Sequence, residues 1–212
     1  HKLICKAPFT SLRFALSGNV LACCFNRMHI LGNIKENNLI EIWKGKQLNI
    51  LQKYINSRDL SYGCIYCFYQ FACDSFYGTG ARNYDYLNSN QRKFPSMLDF
   101  EITNECNLEC IMCNGENSHL IRKNREHGHP YEAVYDSSFI EQLIPFIPHL
   151  EEARFVGGEP FLSKLNFQIW HKIISINHKT RISILTNGTI LTNEIQELLS
   201  SGNFDISMSI DS

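Results

Sequence analysis

The chain has 212 residues, 44% of them hydrophobic, enough to bury a core and too many for a disordered polypeptide. Twenty Lys and Arg against 21 Asp and Glu give a formal charge of −1, and the basic residues are scattered, which removes the electrostatic basis for a nucleic-acid partner. No apolar run reaches the roughly 18 residues of a membrane span and no signal-peptide pattern follows His1, so a cytoplasmic protein without a membrane partner is expected.

Nine cysteines stand out, and they fall into two groups. Cys5, Cys23, Cys24, Cys64, Cys67 and Cys73 occupy the first third; Cys106, Cys110 and Cys113 lie near the middle, with none after them. An odd number in short spacings speaks for metal rather than for a disulfide scaffold.

In chain order, the segments 12–16 and 20–23 flank Ser17-Gly18-Asn19 and predict a hairpin. Leu39, Ile42 and Trp43, then Leu48, Leu51 and Ile55, recur at helical spacing and predict one amphipathic helix or two short ones, with Trp43 in the core. A polar, Gly- and Asn-containing stretch then marks a linker. The expected division is a small α+β Cys-rich domain over 1–78, a linker over 79–95 and a second domain over 96–212.

The second domain alternates strand and helix. Strands are expected over 96–103, 153–156, 181–185 and 204–210. Helices are expected around Phe139–Ile147, with Ser138 and Glu141 as a capping box, over 167–176, and from Thr192 to Leu199 with Gly202 as the stop. Such alternation predicts a parallel sheet with right-handed crossovers. Leu98, Phe100 and Ile102 interleave with Asp99, Glu101 and Thr103, and Phe204 to Asp211 alternates likewise. One sheet face should therefore meet helices while the other, carrying Asp99, Glu101, Ser207 and Ser209, stays polar inside a curved sheet. The last apolar alternation runs into Asp211-Ser212, which is read as a truncation after the fourth strand.

Cys106, Cys110 and Cys113 form a C-x3-C-x2-C loop directly after the first of these strands. Three thiolates suit a 4Fe–4S cluster whose fourth iron stays open to a small molecule. Zinc is the competing metal, completed by His119, His127 or His129.

With Gly157-Gly158-Glu159-Pro160 after the second strand, the cysteine loop resembles the radical S-adenosylmethionine superfamily, over about residues 95–212. The resemblance implies an α/β fold, a parallel (β/α) barrel that is partial here. It also implies reductive cleavage of S-adenosylmethionine at the three-cysteine 4Fe–4S cluster, yielding a 5′-deoxyadenosyl radical that abstracts hydrogen from substrate, with an external one-electron donor. Cys106, Cys110 and Cys113 become the catalytic cluster ligands. Glu159 would accept from the cosubstrate's ammonium beside the two glycines, with Pro160 completing the motif. Asn187, Ser209 and Asp211 would sit at strand ends near the cosubstrate, and Met112 would replace the family's usual aromatic residue against the adenine.

The first block is similar to the SPASM or twitch auxiliary-cluster extension through Cys5, Gly18, Cys23, Leu31-Gly32-Asn33-Ile34, Leu39 to Trp43, and Cys64-x2-Cys67-x5-Cys73. A full SPASM domain needs about eight ligands beside the core's three, more than nine cysteines supply. The resemblance thus implies one auxiliary 4Fe–4S cluster on Cys5, Cys23, Cys64 and Cys67, leaving Cys24 and Cys73 as expected buried thiols. A zinc ribbon remains the rival for this block. The implied enzyme is an oxidoreductase or maturase acting on a peptide or protein side chain, or on a small molecule. A zinc-stabilised binding module and a non-catalytic iron–sulfur carrier are the alternatives.

Overall fold

The computed structural model describes residues 3–88 and 93–210. The hairpin expected near the amino terminus is formed by β1 (Ser11–Phe14) and β2 (Asn19–Leu21), with Arg13 opposite Leu21. Gly18 makes its turn at φ +85°, where a side chain would be strained. A short β3 (Gly32–Asn33) continues the antiparallel ladder.

Four further strands follow the expected alternation: β4 (Met97–Phe100), β5 (Glu152–Phe155), β6 (Arg181–Thr186) and β7 (Phe204–Met208). They pair in parallel and in chain order. β4 is shorter than the expected 96–103 at both ends, and β7 shorter than the expected 204–210 at its carboxyl end, because the chain leaves the ladder there.

The sheet does not stop at the expected domain boundary. β1 pairs in parallel with β4, so seven strands among the described residues form one sheet, ordered β3-β2-β1-β4-β5-β6-β7. The register explains the union. Leu12 and Phe14 align with Leu98 and Phe100, which align with Ala153 and Phe155 and then with Ile182 and Ile184. One continuous apolar face results. Phe14 and Phe100 lie 5.2 Å apart, and Phe100 stacks on Phe155 at 4.6 Å. Full burial of each such side chain stabilises by about 1.5–3 kcal/mol.

Helices of both blocks bury apolar residues against that face. α1 (Ala7–Thr10), α2 (Leu39–Trp43), α3 (Lys46–Asn56) and α4 (Ile65–Ala72) belong to the first block; α5 (His119–Asn124), α6 (Ser137–Leu143), α7 (Lys164–Ile176) and α8 (Asn193–Ser201) to the second. The helical spacing over 39–55 resolves into two helices, α2 carrying an Asn38–Glu41 capping box. Trp43 is buried in the core as expected, its indole N–H donating to the Lys93 carbonyl at 3.0 Å. Phe139 of α6 meets Phe14 edge-on at 5.0 Å, and Trp170 of α7 meets Phe155 at 5.3 Å. The α6 cap is corrected: Asp136, not Ser138, accepts from the backbone N–H groups of Ser138 and Phe139, so the helix starts earlier than the expected box. Thr192 caps α8 as expected, accepting from Ile195 N.

The opposite sheet face is polar, as the alternation predicted. Arg13, Asp99, Arg154, Ser183 and Asp205 stand in one row across it. Arg13 reaches Asp99 at 2.6 Å and Glu101 at 2.5 Å, all three largely buried. This pair spans the two blocks. Within the stretch expected as linker, a 3-10 turn over Gly80–Tyr84 is ordered, and Tyr84 and Leu87 are buried with Ala7 and Met97.

Candidate functional site

The C-terminal ends of β4, β5 and β6 converge on the cysteine loop. After β4, the chain runs through Ile102 to Cys106, and residues around α5 fasten the loop. The Cys106 N–H donates to His119 Nδ1 at 3.1 Å, Ser118 Oγ donates to the Leu108 carbonyl, and Asn104 Nδ2 to the Gly115 carbonyl. Arg125 donates to the carbonyls of Glu109 and Cys110, and Cys113 N–H turns back on Cys110 O at 3.1 Å. Cys106 is buried, Cys110 half-buried and Cys113 exposed. Met112 lies exposed beside them.

Among the described residues no group of three His, Cys, Asp or Glu side chains already stands at coordinating geometry. The donor chemistry nevertheless suits a 4Fe–4S cluster: three thiols in one eight-residue loop, with its backbone pinned by protein groups. His119 is committed at Nδ1 to the Cys106 N–H, which argues against that nitrogen as a fourth zinc ligand.

The glycines of the second motif serve a close approach of chain to chain. Gly157 has φ +111°, and a Cβ there would fall 2.6 Å from the Thr103 carbonyl oxygen. At Gly158 it would fall 2.1 Å from that of Glu105. The Gly158 N–H donates to Thr103 O at 3.1 Å and the Glu159 N–H to Glu105 O at 2.5 Å. This loop is thus clamped against the residues that lead into Cys106.

Glu159 is fully buried, and its carboxylate accepts from Phe161 N at 3.1 Å, Thr186 Oγ1 at 2.8 Å and Asn187 N at 2.8 Å. Its oxygens tie the loop to the end of β6. Pro160 opens the 3-10 turn Pro160–Leu162, and its carbonyl accepts from Asn166 Nδ2. Asn187 stands between β6 and the cysteine loop, its Nδ2 donating to Asn107 Oδ1 at 2.9 Å and lying 4.0 Å from Cys106 Sγ. Ser209 is exposed after β7, its N–H donating to Thr186 O at 2.9 Å. Asp211 lies outside the described residues.

The first block gathers its own thiols. Cys5, Cys23, Cys64 and Cys67 line one cavity walled by Phe25, Leu60, Phe71 and Tyr84. Burial, and then the neighbouring thiols, push Cys5 far up; burial pushes Cys23 up to about 12 and Cys64 up to about 11. Without metal, Cys5, Cys23 and Cys64 would thus stay protonated, and binding metal there releases protons. Sequence reasoning missed Asn26. Its backbone N–H points at Cys23 Sγ at 3.3 Å and its Nδ2 at Cys64 Sγ at 3.5 Å. Only its place three residues after Cys23 could have flagged it. Cys24 lies near the charges of Arg13, Asp99 and Arg27, and burial raises its pKa. Cys24 is half-buried and Cys73 exposed, so the expectation of buried thiols is corrected. Cys73 caps the carboxyl end of α4, where no packing covers it.

Comparison with known proteins agrees with this architecture. The family model of the radical SAM superfamily matches residues 100–212, more than half the chain, and that of SPASM, an iron–sulfur cluster-binding domain, matches residues 5–68. The chain belongs to the radical SAM superfamily. GTP 3′,8-cyclase of Clostridium botulinum strain Hall is 26% identical over 126 residues, covering 59% of this chain and 38% of that protein. An uncharacterised protein of Methanocaldococcus jannaschii is 28% identical over 123 residues, covering 54% and 38%. GTP 3′,8-cyclase of Listeria welshimeri is 28% identical over 127 residues, covering 57% and 35%. The chain thus spans little more than a third of the length of these relatives. No helix among the described residues is long and apolar enough to cross a membrane.

Proposed function

We propose that this chain binds the clusters of an enzyme that reductively cleaves S-adenosylmethionine and abstracts hydrogen from a peptide or protein side chain. When bound, a 4Fe–4S cluster on Cys106, Cys110 and Cys113 supplies the electron for that cleavage. The protein's own part is to hold and orient. His119 and Arg125, at the two ends of α5, fix the cysteine loop. The Gly157-Gly158 loop, tied to β6 by Glu159, presents backbone groups to the methionine moiety. Met112 of the cysteine loop is assigned to the adenine, and Ser209 and Asp211 to the ribose side of the cosubstrate.

One observation carries this reading: three strand ends meet at the cysteine loop, through Glu159 to Asn187 and Asn187 to Asn107. A zinc-stabilised module has no need of that convergence. A second cluster on Cys5, Cys23, Cys64 and Cys67 fits the thiol-lined cavity, and the auxiliary domain is the basis for preferring a peptide over a small molecule. The test is anaerobic reconstitution of the full natural chain with iron and sulfide, a one-electron reductant and S-adenosylmethionine. Formation of 5′-deoxyadenosine, abolished by Cys106→Ala, is expected; iron incorporation without any cosubstrate cleavage would refute the reading.

A further inference from the structure

We propose that the polar face of β5–β7 binds a carboxylate of the substrate on Arg154 and Arg181. The inference deepens the functional reading above and rests on it for what occupies the barrel. Glu152 is the hub of this face. Its Oε1 accepts from Arg154 Nε at 2.7 Å and Ser183 Oγ at 3.0 Å; its Oε2 accepts from Arg181 Nη2 at 2.5 Å and from the Tyr86 hydroxyl. Four donors saturate that carboxylate, and two guanidiniums share its single negative charge.

Two acids flank the pair. Asp99, opposite Arg154 in the register, is bound to Arg13 at 2.6 Å. Asp205 Oδ2 lies 4.0 Å from Arg181 Nη1, and its side chain is more than half exposed. What the two guanidiniums offer is free N–H donors rather than a surplus of charge. Arg154 Nη2 is occupied by the Asn83 carbonyl and Tyr86 Oη, but no partner among the described residues takes its Nη1. Both guanidiniums lie against the Tyr86 ring, at 5.9 and 5.3 Å from its centroid, which holds the two cations on one support.

They face a cavity of about 320 Å³. Its lower level is Arg154, Arg181, Ser183 and Asp205; its upper level is Val156, Leu185 and Ser207. Four residues of strand separate Glu152 from Val156, about 13 Å at the usual rise. The upper end opens beside Gly157 and Thr186, where the cosubstrate is proposed to sit. A substrate anchored by its carboxylate on the two arginines thus directs its carbon chain toward the strand ends. Acids on both sides of the pair, Asp99 and Asp205, oppose a phosphate dianion more than a carboxylate monoanion.

Calorimetric titration of the full natural chain with hexanoate, hexanamide and inorganic phosphate tests the site. Hexanoate is expected to bind at least tenfold more tightly than hexanamide and than phosphate. Arg181→Gln should erase that preference, and Arg181→Lys should restore most of it, which separates lost charge from lost fold. Equal binding of acid and amide, tighter binding of phosphate, or an unchanged preference in Arg181→Gln would overturn the proposal. Formation of 5′-deoxyadenosine is measured separately. A carboxylate preference in a protein that cleaves no S-adenosylmethionine supports this site and refutes the functional reading alone.

Discussion

Glu159→Gln separates a clamp from a ligand contact. The buried carboxylate takes three hydrogen bonds, from Phe161 N, Thr186 Oγ1 and Asn187 N. Gln retains one acceptor oxygen. With that oxygen kept on Phe161 and Thr186, the new NH2 group confronts the Asn187 N–H across 2.8 Å, donor against donor. Losing one charge-assisted bond costs about 1.5–3 kcal/mol, and the stranded buried donor adds about 1–3 kcal/mol. Some 3 kcal/mol is expected in total. With a urea slope of about 2 kcal/mol/M, the unfolding midpoint should drop by about 1.5 M. The measurement is made anaerobically without S-adenosylmethionine, so that no bound cosubstrate contributes. An unchanged midpoint accompanied by a tenfold loss of cosubstrate affinity would refute the clamp and restore the carboxylate as a direct ligand contact.

Gly158→Ala drives a Cβ to 2.1 Å from the Glu105 carbonyl oxygen, so the loops must part; a loss of at least about 2 kcal/mol in urea unfolding is expected, while full stability would mean the loops are not in contact. Burial raises the Glu152 carboxyl pKa, but hydrogen bonds from Tyr86, Arg154 and Arg181 outweigh it and the net direction is down. A depressed folded pKa contributes stability above the unfolded value of about 4.3, lost as pH falls through the folded one, so Glu152→Gln should flatten the fall in unfolding midpoint below about pH 4.5. Ala at Cys5, Cys23, Cys64 or Cys67 should remove iron and spectroscopic signal from the first block alone, whereas Cys73→Ser should leave iron content unchanged; equal iron loss from both sites would show the cysteines are divided differently.

The local signals in the sequence were strong where a period or a motif spans few residues. The alternation of Leu98 and Phe100 with Asp99 and Glu101 named both faces of β4, and the Thr192 and Gly202 signals bracketed α8. What stayed hidden was pairing at a distance. Nothing near Arg13 announces that it will neutralise Asp99 and Glu101, 86 and 88 residues away. α4 was hidden for another reason. Its residues are apolar nearly all round and only Cys67 is buried, so no stripe marks a helical period. At the site, the cysteine triplet and the Gly-Gly-Glu-Pro run were legible as residue types. The direction of the Glu159 carboxylate was not, because it depends on Thr186 and Asn187 at the end of another strand.

The parallel pairing of β1 with β4 gives the two halves of the chain a shared fate. Shearing them apart would break a hydrogen-bonded ladder, uncover Leu98 and Phe100 along an edge, and part Asp99 from Arg13. The halves should therefore melt together in a single transition. No hinge can open between the two sets of thiols, and the distance an electron would travel between them is set by a covalently and laterally continuous sheet.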